Sequence, residues 1–222
     1  MNLCLFDLDH TLLPIDSDHE FGEFLIRTGL ADPVDYRRRN DAFYQQYVDG
    51  TLQLHEYIQF STSVWRLLDD ARQRDLQARF MAEVVQPAIH PQALQLVRQH
   101  EAQGDLVAII TATNEFVTRP IADAFDVSEL LAVRLIRDEQ GRVTGEIDGV
   151  PSFREGKVTR VEQWLAERGR TLADFERVSF YSDSPNDLPL MELASDPVAT
   201  NPSPALEAVA RERGWRILRL FS

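Results

Sequence analysis

Strand-like and helix-like segments alternate along the chain from Pro87 onward, and this alternation constrains the fold more than any other feature. The strand candidates are the apolar runs 106–111, 178–181, 197–199 and 216–220. The helix candidates are the segments 93–103, 115–124, 155–167, 188–193 and 205–213. Because helices that connect parallel strands cover the faces of a sheet, the pattern predicts a parallel sheet flanked by helices. We therefore expect an α/β fold.

One stretch within this region predicts antiparallel pairing instead. The runs 131–136 and 143–147 flank Asp138–Gly141, a sequence that favours a tight turn. Two strand-like runs joined by such a turn are typical of a β-hairpin.

A long helical stretch separates the first strand candidate, at the N-terminus, from the rest of the predicted sheet. Between Asp18 and about Val85 apolar residues recur at helical spacing, which predicts three or four helices without a convincing strand. We therefore expect a three-layer, Rossmann-like core formed by residues 1–14 and 88–222, and an inserted all-helical cap formed by residues 15–87. A cap inserted there would cover the strand ends as a lid.

Two carboxylates, Asp7 and Asp9, end the apolar run at the N-terminus. The run predicts a buried strand, and an ordinary core does not tolerate two acids separated by a single residue. In open parallel sheets ligands bind beyond the carboxyl ends of the strands, so the pair indicates a site. A turn or helix cap is the alternative interpretation.

Polar groups also stand at three later positions where a parallel sheet would converge on Asp7. Thr111–Asn114 follows a predicted strand and opens a helix, Lys157 lies near the start of a helix, and Ser182–Asp187 follows the strand candidate 178–181. Taken singly, these residues are better explained as caps, turns or surface groups. Together they provide hydroxyls, backbone N–H groups, a cation and acids at one edge of the sheet, which favours an anion or metal site.

The composition limits the class of partner. Lys and Arg total 23 against 36 Asp and Glu, a formal charge of −13, which disfavours nucleic acid. A phosphorylated ligand must then be attracted by a local cation or metal. The single cysteine, Cys4, excludes an internal disulfide, and neither a leader peptide nor a membrane-spanning segment is evident, so we expect a soluble cytoplasmic protein.

The motifs resemble those of the haloacid dehalogenase superfamily phosphatases. They are Asp7-Leu8-Asp9-His10-Thr11, then Thr111, then Lys157, and finally Asp183 with Asp187. A helical insertion directly after the first motif is similar to the cap of the phosphoserine phosphatase-like branch. Two departures from the family pattern are Thr111 in place of serine and Ser182 in place of glycine, and neither removes a required functional group.

The resemblance implies a role for each acid. Asp7 would attack phosphorus and form an aspartyl-phosphate, and Asp9 would protonate the leaving oxygen and then activate water. Mg²⁺ would be bound by the carboxylates of Asp7 and Asp183 and by the backbone carbonyl of Asp9. The presence of Asp9 favours phosphate chemistry over dehalogenation, because dehalogenases proper lack this second aspartate.

The resemblance also implies how the phosphate is held. Thr111, the N–H of Ala112, and Asn186 would bind phosphoryl oxygens. Lys157 would offset the charge of both Asp7 and the phosphate, and Asp187 would orient Lys157 or a metal-bound water.

The expected substrate is a small phosphorylated metabolite. Asp16 and Asp18 lie where the phosphoserine phosphatase-like branch places an acid that binds the substrate's amine, which favours histidinol phosphate or phosphoserine. A helix N-cap at Ser17 or Asp18 explains the same acidic sequence equally well. Asn114 and Arg154 lie near the motifs and are further candidates for substrate contact.

Two other functions remain open from the sequence. The same residues fit transfer of the phosphoryl group to an acceptor other than water. A non-hydrolytic signalling protein, phosphorylated on Asp7 or binding a metal there, is the second alternative, although Asp9 and the helical insertion disfavour it. The sequence does not indicate the oligomeric state.

Overall fold

A six-stranded parallel sheet forms the centre of the protein, described here by a computed structural model for residues 1–221. The strands are β1 Leu3–Phe6, β2 Leu106–Asn114, β3 Glu129–Val133, β4 Leu135–Arg137, β5 Val143–Ile147, β6 Val178–Ser182, β7 Asp196–Thr200 and β8 Arg216–Leu218. The helices are α1 Ser17–Arg27, α2 Asp35–Val48, α3 Leu54–Thr62, α4 Asp70–Phe80, α5 Gln86–Ala88, α6 Pro91–Ala102, α7 Glu115–Ala124, α8 Glu155–Ala166, α9 Leu188–Met191 and α10 Pro204–Arg213. The sheet has the order β3-β2-β1-β6-β7-β8, with helices packed around it, which confirms the predicted α/β fold.

The short strand β1 occupies the middle of this sheet. Leu3 is paired with Leu106 on one side and with Val178 on the other, and all four residues of the strand are fully buried. Successive side chains point to opposite faces: Cys4 and Phe6 belong to one apolar cluster and Leu3 and Leu5 to the other. A continuous apolar run suits a strand that is covered on both faces.

The predicted hairpin was wrong in one respect. The run 131–136 is divided at Arg134: β3 joins the main sheet beside β2, and β4 pairs with β5 in a separate two-stranded antiparallel sheet. Only β4 is the partner of β5, with Leu135 opposite Ile147. Because the apolar pattern continues across Arg134, it does not indicate the change of pairing partner.

The region between β1 and α6 is helical, as predicted. Besides α1 to α5 it contains a single 3₁₀ turn at Trp65–Leu67 and a π-helical turn at Met81–Val85. Its inner face is aromatic, and the indole of Trp65 stacks on Phe116 of α7 with ring centroids 3.8 Å apart. The division into a core of residues 1–14 and 88–222 and a cap of residues 15–87 stays a prediction. Among residues 1–221 no helix combines the length and apolar character that crossing a membrane requires.

Candidate active site

The order of the central strands brings the polar motifs together. Asp7 directly follows β1, the motif Thr111–Asn114 ends β2, and Asp183 directly follows β6. Because β2 and β6 are the two neighbours of β1 and all three run parallel, their carboxyl ends lie side by side. The site is therefore at the edge of the sheet where ligands of open α/β folds bind.

A buried ion-pair network holds the first acid. The ammonium group of Lys157, on the first turn of α8, donates to Asp7 Oδ1 and to Asp187 Oδ2, each at 2.7 Å. The Ser182 hydroxyl donates to the same Asp187 oxygen at 2.7 Å, so the residue that replaces glycine has a structural contact. Burial alone would lower the pKa of Lys157, but the two carboxylates outweigh it and the net shift is upward. Lys157 is thus a permanently charged group beneath Asp7.

One hydroxyl lies between two acids of the site. Thr11 Oγ1 is 3.2 Å from Asp7 Oδ2 and 3.4 Å from Asp183 Oδ1. Burial raises the pKa of Asp7 to about 7, against the opposing effect of Lys157. The pKa of Asp183 is also raised, by burial first and then by the negative charges of Asp7 and Asp187. A cation placed between Asp7 and Asp183 would relieve both effects.

Asp9 is held by two donors from different parts of the chain. Its Oδ1 accepts from the backbone N–H of Ser17 at 2.8 Å, and its Oδ2 accepts from the Thr113 hydroxyl at 2.9 Å. Burial raises the pKa of Asp9 to about 7, assisted by Asp16 and opposed by these two hydrogen bonds. A carboxyl group with such a pKa can donate and accept a proton near neutral pH.

The sequence placed Thr113 in a candidate anion-binding segment but did not predict its contact with Asp9. The signal was available, because Thr111 and Thr113 are two residues apart on β2 and therefore face the same side of the strand. Both line the cavity that contains Asp7 and Asp9, together with Ala112. Thr111 Oγ1 also accepts from the backbone N–H of Thr113 at 3.1 Å, which fixes the turn at the end of the strand.

The donor set favours a hydrated, hard cation. Among residues 1–221 no three side chains of the His, Cys, Asp or Glu type come close enough to surround a metal ion. Two carboxylates, Asp7 and Asp183, border the same hydroxyl, and the backbone carbonyl of Asp9 is the third predicted oxygen ligand. Mg²⁺ is usually bound by one or two carboxylates, with waters and substrate phosphate as further ligands, so these residues fit Mg²⁺.

The residues predicted to contact substrate do not all reach the cavity. Asp16 and Asp18 line it. Asp16 is also the N-cap of α1, a role that the sequence had assigned to Ser17 or Asp18. The fully buried Asn114 instead caps α7, by accepting from the N–H groups of Phe116 and Val117, and it is not part of the cavity wall.

Arg154 and Asn186 connect the sheet to the loop after α2. The Arg154 guanidinium donates to the carbonyl of Gly50 and, at 3.4 Å, to Asn186 Oδ1. The amide of Asn186 donates to the carbonyl of Tyr47 at 3.2 Å. Neither residue lines the cavity in this arrangement.

Several cavity residues come from the helical insertion and were not predicted. They are His19, Asn40, Phe43, Tyr44, Tyr47, Leu52, Leu54 and Tyr57. The spacing of the apolar residues predicted helices in this stretch, and a helical stripe by itself does not distinguish a face that packs on the core from one that covers a cavity.

Comparisons with known proteins agree with this arrangement. Residues 4–192 match the family of haloacid dehalogenase-like hydrolases. A histidinol-phosphatase from Neisseria meningitidis serogroup C (strain 8013) is 41% identical over 217 residues, which cover 98% of each chain. The crystal structure of a protein of unknown function from Bordetella pertussis Tohama I is 48% identical, with a TM-score of 0.93 over 99% of each chain. A substrate-bound phosphoserine phosphatase is 17% identical and shares the fold, with a TM-score of 0.67 over 97% of this chain and 91% of that one.

Proposed function

The chain belongs to the haloacid dehalogenase-like hydrolases and is a phosphatase, and from this premise we propose a Mg²⁺-dependent phosphomonoesterase that acts through a phosphorylated Asp7. The observation that carries the proposal is the pairing of Asp7 with the buried Lys157 while Asp9, whose pKa is near neutral, lines the same cavity. The substrate is a small amino-alcohol or amino-acid phosphate. Histidinol phosphate, named in the Neisseria relative, and phosphoserine are the first candidates.

In the first half of the reaction an Asp7 oxygen attacks phosphorus and the ester P–O bond breaks. Asp9, protonated, gives its proton to the departing alkoxide, which leaves as the alcohol. Lys157 offsets the negative charge that the phosphate brings against Asp7. Thr111, the N–H of Ala112, and Asn186 hold the remaining phosphoryl oxygens, and Asn186 exchanges its bond to the Tyr47 carbonyl for this contact.

In the second half, the Asp9 carboxylate accepts a proton from water as the water oxygen attacks phosphorus. The bond from phosphorus to Asp7 breaks, inorganic phosphate leaves, and Asp9 is again protonated. When bound by the carboxylates of Asp7 and Asp183 and the carbonyl of Asp9, Mg²⁺ supplies Lewis-acid stabilisation of the phosphoryl charge. The hydrogen bond of 2.7 Å from Lys157 to Asp187 keeps the Lys157 ammonium group directed at Asp7.

A panel of small phosphomonoesters tests the function directly. We expect phosphate release from histidinol phosphate in the presence of Mg²⁺, with loss of at least about 90% of the rate in excess EDTA because the charge of the phosphate is then not offset. The measurement is free phosphate, alongside mass spectrometry of the protein and of added alcohol acceptors. Phosphorylated acceptor without free phosphate would indicate transfer, and a stable phosphoprotein would indicate a non-hydrolytic role.

The Thr113→Val variant tests the role of Asp9 as an acid. The Thr113 hydroxyl stabilises the charged form of Asp9, so its removal raises the pKa of Asp9 further. Because the first step needs protonated Asp9, activity falls as pH rises through that pKa. We expect the alkaline limb of kcat/KM to move to higher pH by about 0.5–1 unit, the equivalent of one hydrogen bond. Thr113→Ser, which keeps the hydroxyl, is the control, and an unshifted limb in Thr113→Val would contradict the assignment.

A further inference from the structure

The wall of the active-site cavity is strongly biased toward negative charge. Asp7, Asp9, Asp16 and Asp18 line it, and no residue of the wall is Lys or Arg within the part of the chain that the structure describes. Its one basic side chain is His19, whose Nε2 lies 2.9 Å from Asp41 Oδ1. The substrate-facing surface above the reacting acids therefore offers several carboxyl groups and no free strong cation.

The cations near the site are committed to other groups. Lys157 is 1% exposed and is bonded to both Asp7 and Asp187. Arg154 lies outside the cavity wall, with its guanidinium on the Gly50 carbonyl and on Asn186. Lys157 is positioned to serve the phosphate end of a substrate, and no equivalent group serves a second anion on the same molecule.

Asp18 is the clearest sign of what the far end of the cavity binds. Its side chain lies in the cavity wall and the residue is 6% exposed, yet the charged groups that act on it, Asp16 and Asp9, are both acidic. The hydroxyl of Tyr57 contacts it but brings no charge. Burial and the neighbouring Asp16 raise the pKa of Asp18, because a buried carboxylate without a cation is costly. An ammonium group of a ligand beside Asp18 would remove that cost and favour the charged form.

The rest of the wall near Asp18 is aromatic. Phe43, Tyr44, Tyr47 and Tyr57 all contribute to it. Their ring faces favour a cation or a flat side group, and the tyrosine hydroxyls are neutral donors that bring no positive charge for a desolvated carboxylate. The acids and the aromatic rings at this end of the cavity thus both favour a ligand with an ammonium group and a flat side group.

From these contacts we propose that the cavity selects phosphate esters of amino alcohols and rejects those of amino acids. The inference rests on the proposed phosphatase function and narrows its substrate class. The ammonium group of the substrate is bound by Asp18, with Asp16 beside it, and a flat side group packs on the aromatic wall. A substrate carboxylate at the same carbon is buried among acids without a cationic partner, which disfavours its binding.

Two esters that differ only by that carboxylate provide the test. We expect kcat/KM with Mg²⁺ to be at least about tenfold higher for O-phosphoethanolamine than for O-phospho-L-serine, the ratio that about 1.4 kcal/mol produces. Equal or higher activity on phosphoserine would overturn the inference, as would no activity on either ester while 4-nitrophenyl phosphate is hydrolysed. No hydrolysis of any ester, 4-nitrophenyl phosphate included, would instead overturn the phosphatase function.

The Asp18→Asn variant assigns the selectivity to a residue. We expect KM for O-phosphoethanolamine to rise about tenfold or more, and the loss in kcat/KM to exceed the loss for 4-nitrophenyl phosphate by a similar factor. A purely structural role would reduce both activities alike. Asp35→Asn, which neutralises an exposed acid of α2 that is 60% exposed and paired with Arg38, is the control and should change neither. Equal losses on the two esters in Asp18→Asn would contradict the role of Asp18.

Discussion

Replacement of Asp7 by Asn is expected to reduce Mg²⁺-dependent phosphate release by at least about 10³-fold, because the amide is not a competent nucleophile toward phosphorus. Asn has nearly the same size and leaves the end of β1 packed. The variant also loses the carboxylate that pairs with Lys157 at 2.7 Å, so its fold must be checked by circular dichroism and thermal unfolding. The measurement is kcat at saturating Mg²⁺ with the best ester of the panel.

Asp9→Asn is the matched control for this result. It removes an acid of the same motif, yet the proposed reaction assigns it the proton transfers and leaves the attack on phosphorus to Asp7. With 4-nitrophenyl phosphate, whose leaving group needs no proton from Asp9, we therefore expect phosphate bound to the protein after acid quenching in Asp9→Asn and none in Asp7→Asn. Turnover retained by Asp7→Asn, or trapped phosphate in that variant, would exclude Asp7 as the nucleophile.

Replacement of Lys157 by Met is expected to have a large effect on stability as well as on activity. Met is similar in length but uncharged, so the variant leaves Asp7 and Asp187 buried without their cation. Breaking a buried ion pair by removing one partner costs about 3–5 kcal/mol, and we expect a loss of unfolding free energy in this range at pH 8. Activity should fall by about 10²–10³-fold, the typical effect of removing one group that stabilises developing charge.

The stability loss in this variant should depend on pH in a defined direction. Lys157 lowers the pKa of Asp7, so without it that pKa lies even further above the unfolded-state value. When the pKa of a carboxyl group is higher in the folded than in the unfolded state, the folded protein loses stability as pH rises from the unfolded-state pKa to the folded-state pKa. The deficit relative to the wild type should therefore be smaller at pH 5.5 than at pH 8, as measured by urea unfolding at both pH values.

A double-variant cycle completes this test. Asp187→Asn removes one of the two carboxylates, so Lys157→Met combined with Asp187→Asn should recover part of the stability that Lys157→Met loses. Additive losses in the double variant, or a deficit that does not change with pH, would show that the three groups do not act as an electrostatic unit.

Sequence was sufficient where the signal is local and the topology simple. The apolar run before Asp7 and the alternation after Pro87 each follow from burial and periodicity, and a parallel sheet then places Asp7, Thr111 and Asp183 at one edge without further information. Periodicity failed at Arg134, because the choice between a parallel and an antiparallel partner is made by distant strands.

The contacts of the helical insertion also could not be predicted from the sequence. The spacing of Tyr44 and Tyr47 predicted a helical stripe, and only the packing of the insertion over the strand ends places them in the cavity wall. Of the acids at the start of α1, Asp16 caps the helix and Asp18 lies in the cavity wall, and their binding of a substrate amine stays a prediction. Asn114 was misleading because the sequence does not distinguish an asparagine that caps a helix beside a motif from one that binds substrate.

The central position of β1 has a consequence for how the protein is made. The strand leaves the ribosome first, but its neighbours begin at Leu106 and Val178, so the sheet has a high contact order. At ordinary elongation rates β1 waits on the order of ten seconds for its first partner, with four apolar residues unpaired. The insertion is made during that wait, and α1 and α2, which contact each other, can form then. The contacts of α3 with β5 and of Trp65 with Phe116 need later parts of the chain and must follow. The segment that supplies most of the cavity wall is thus made before β1 finds its first partner.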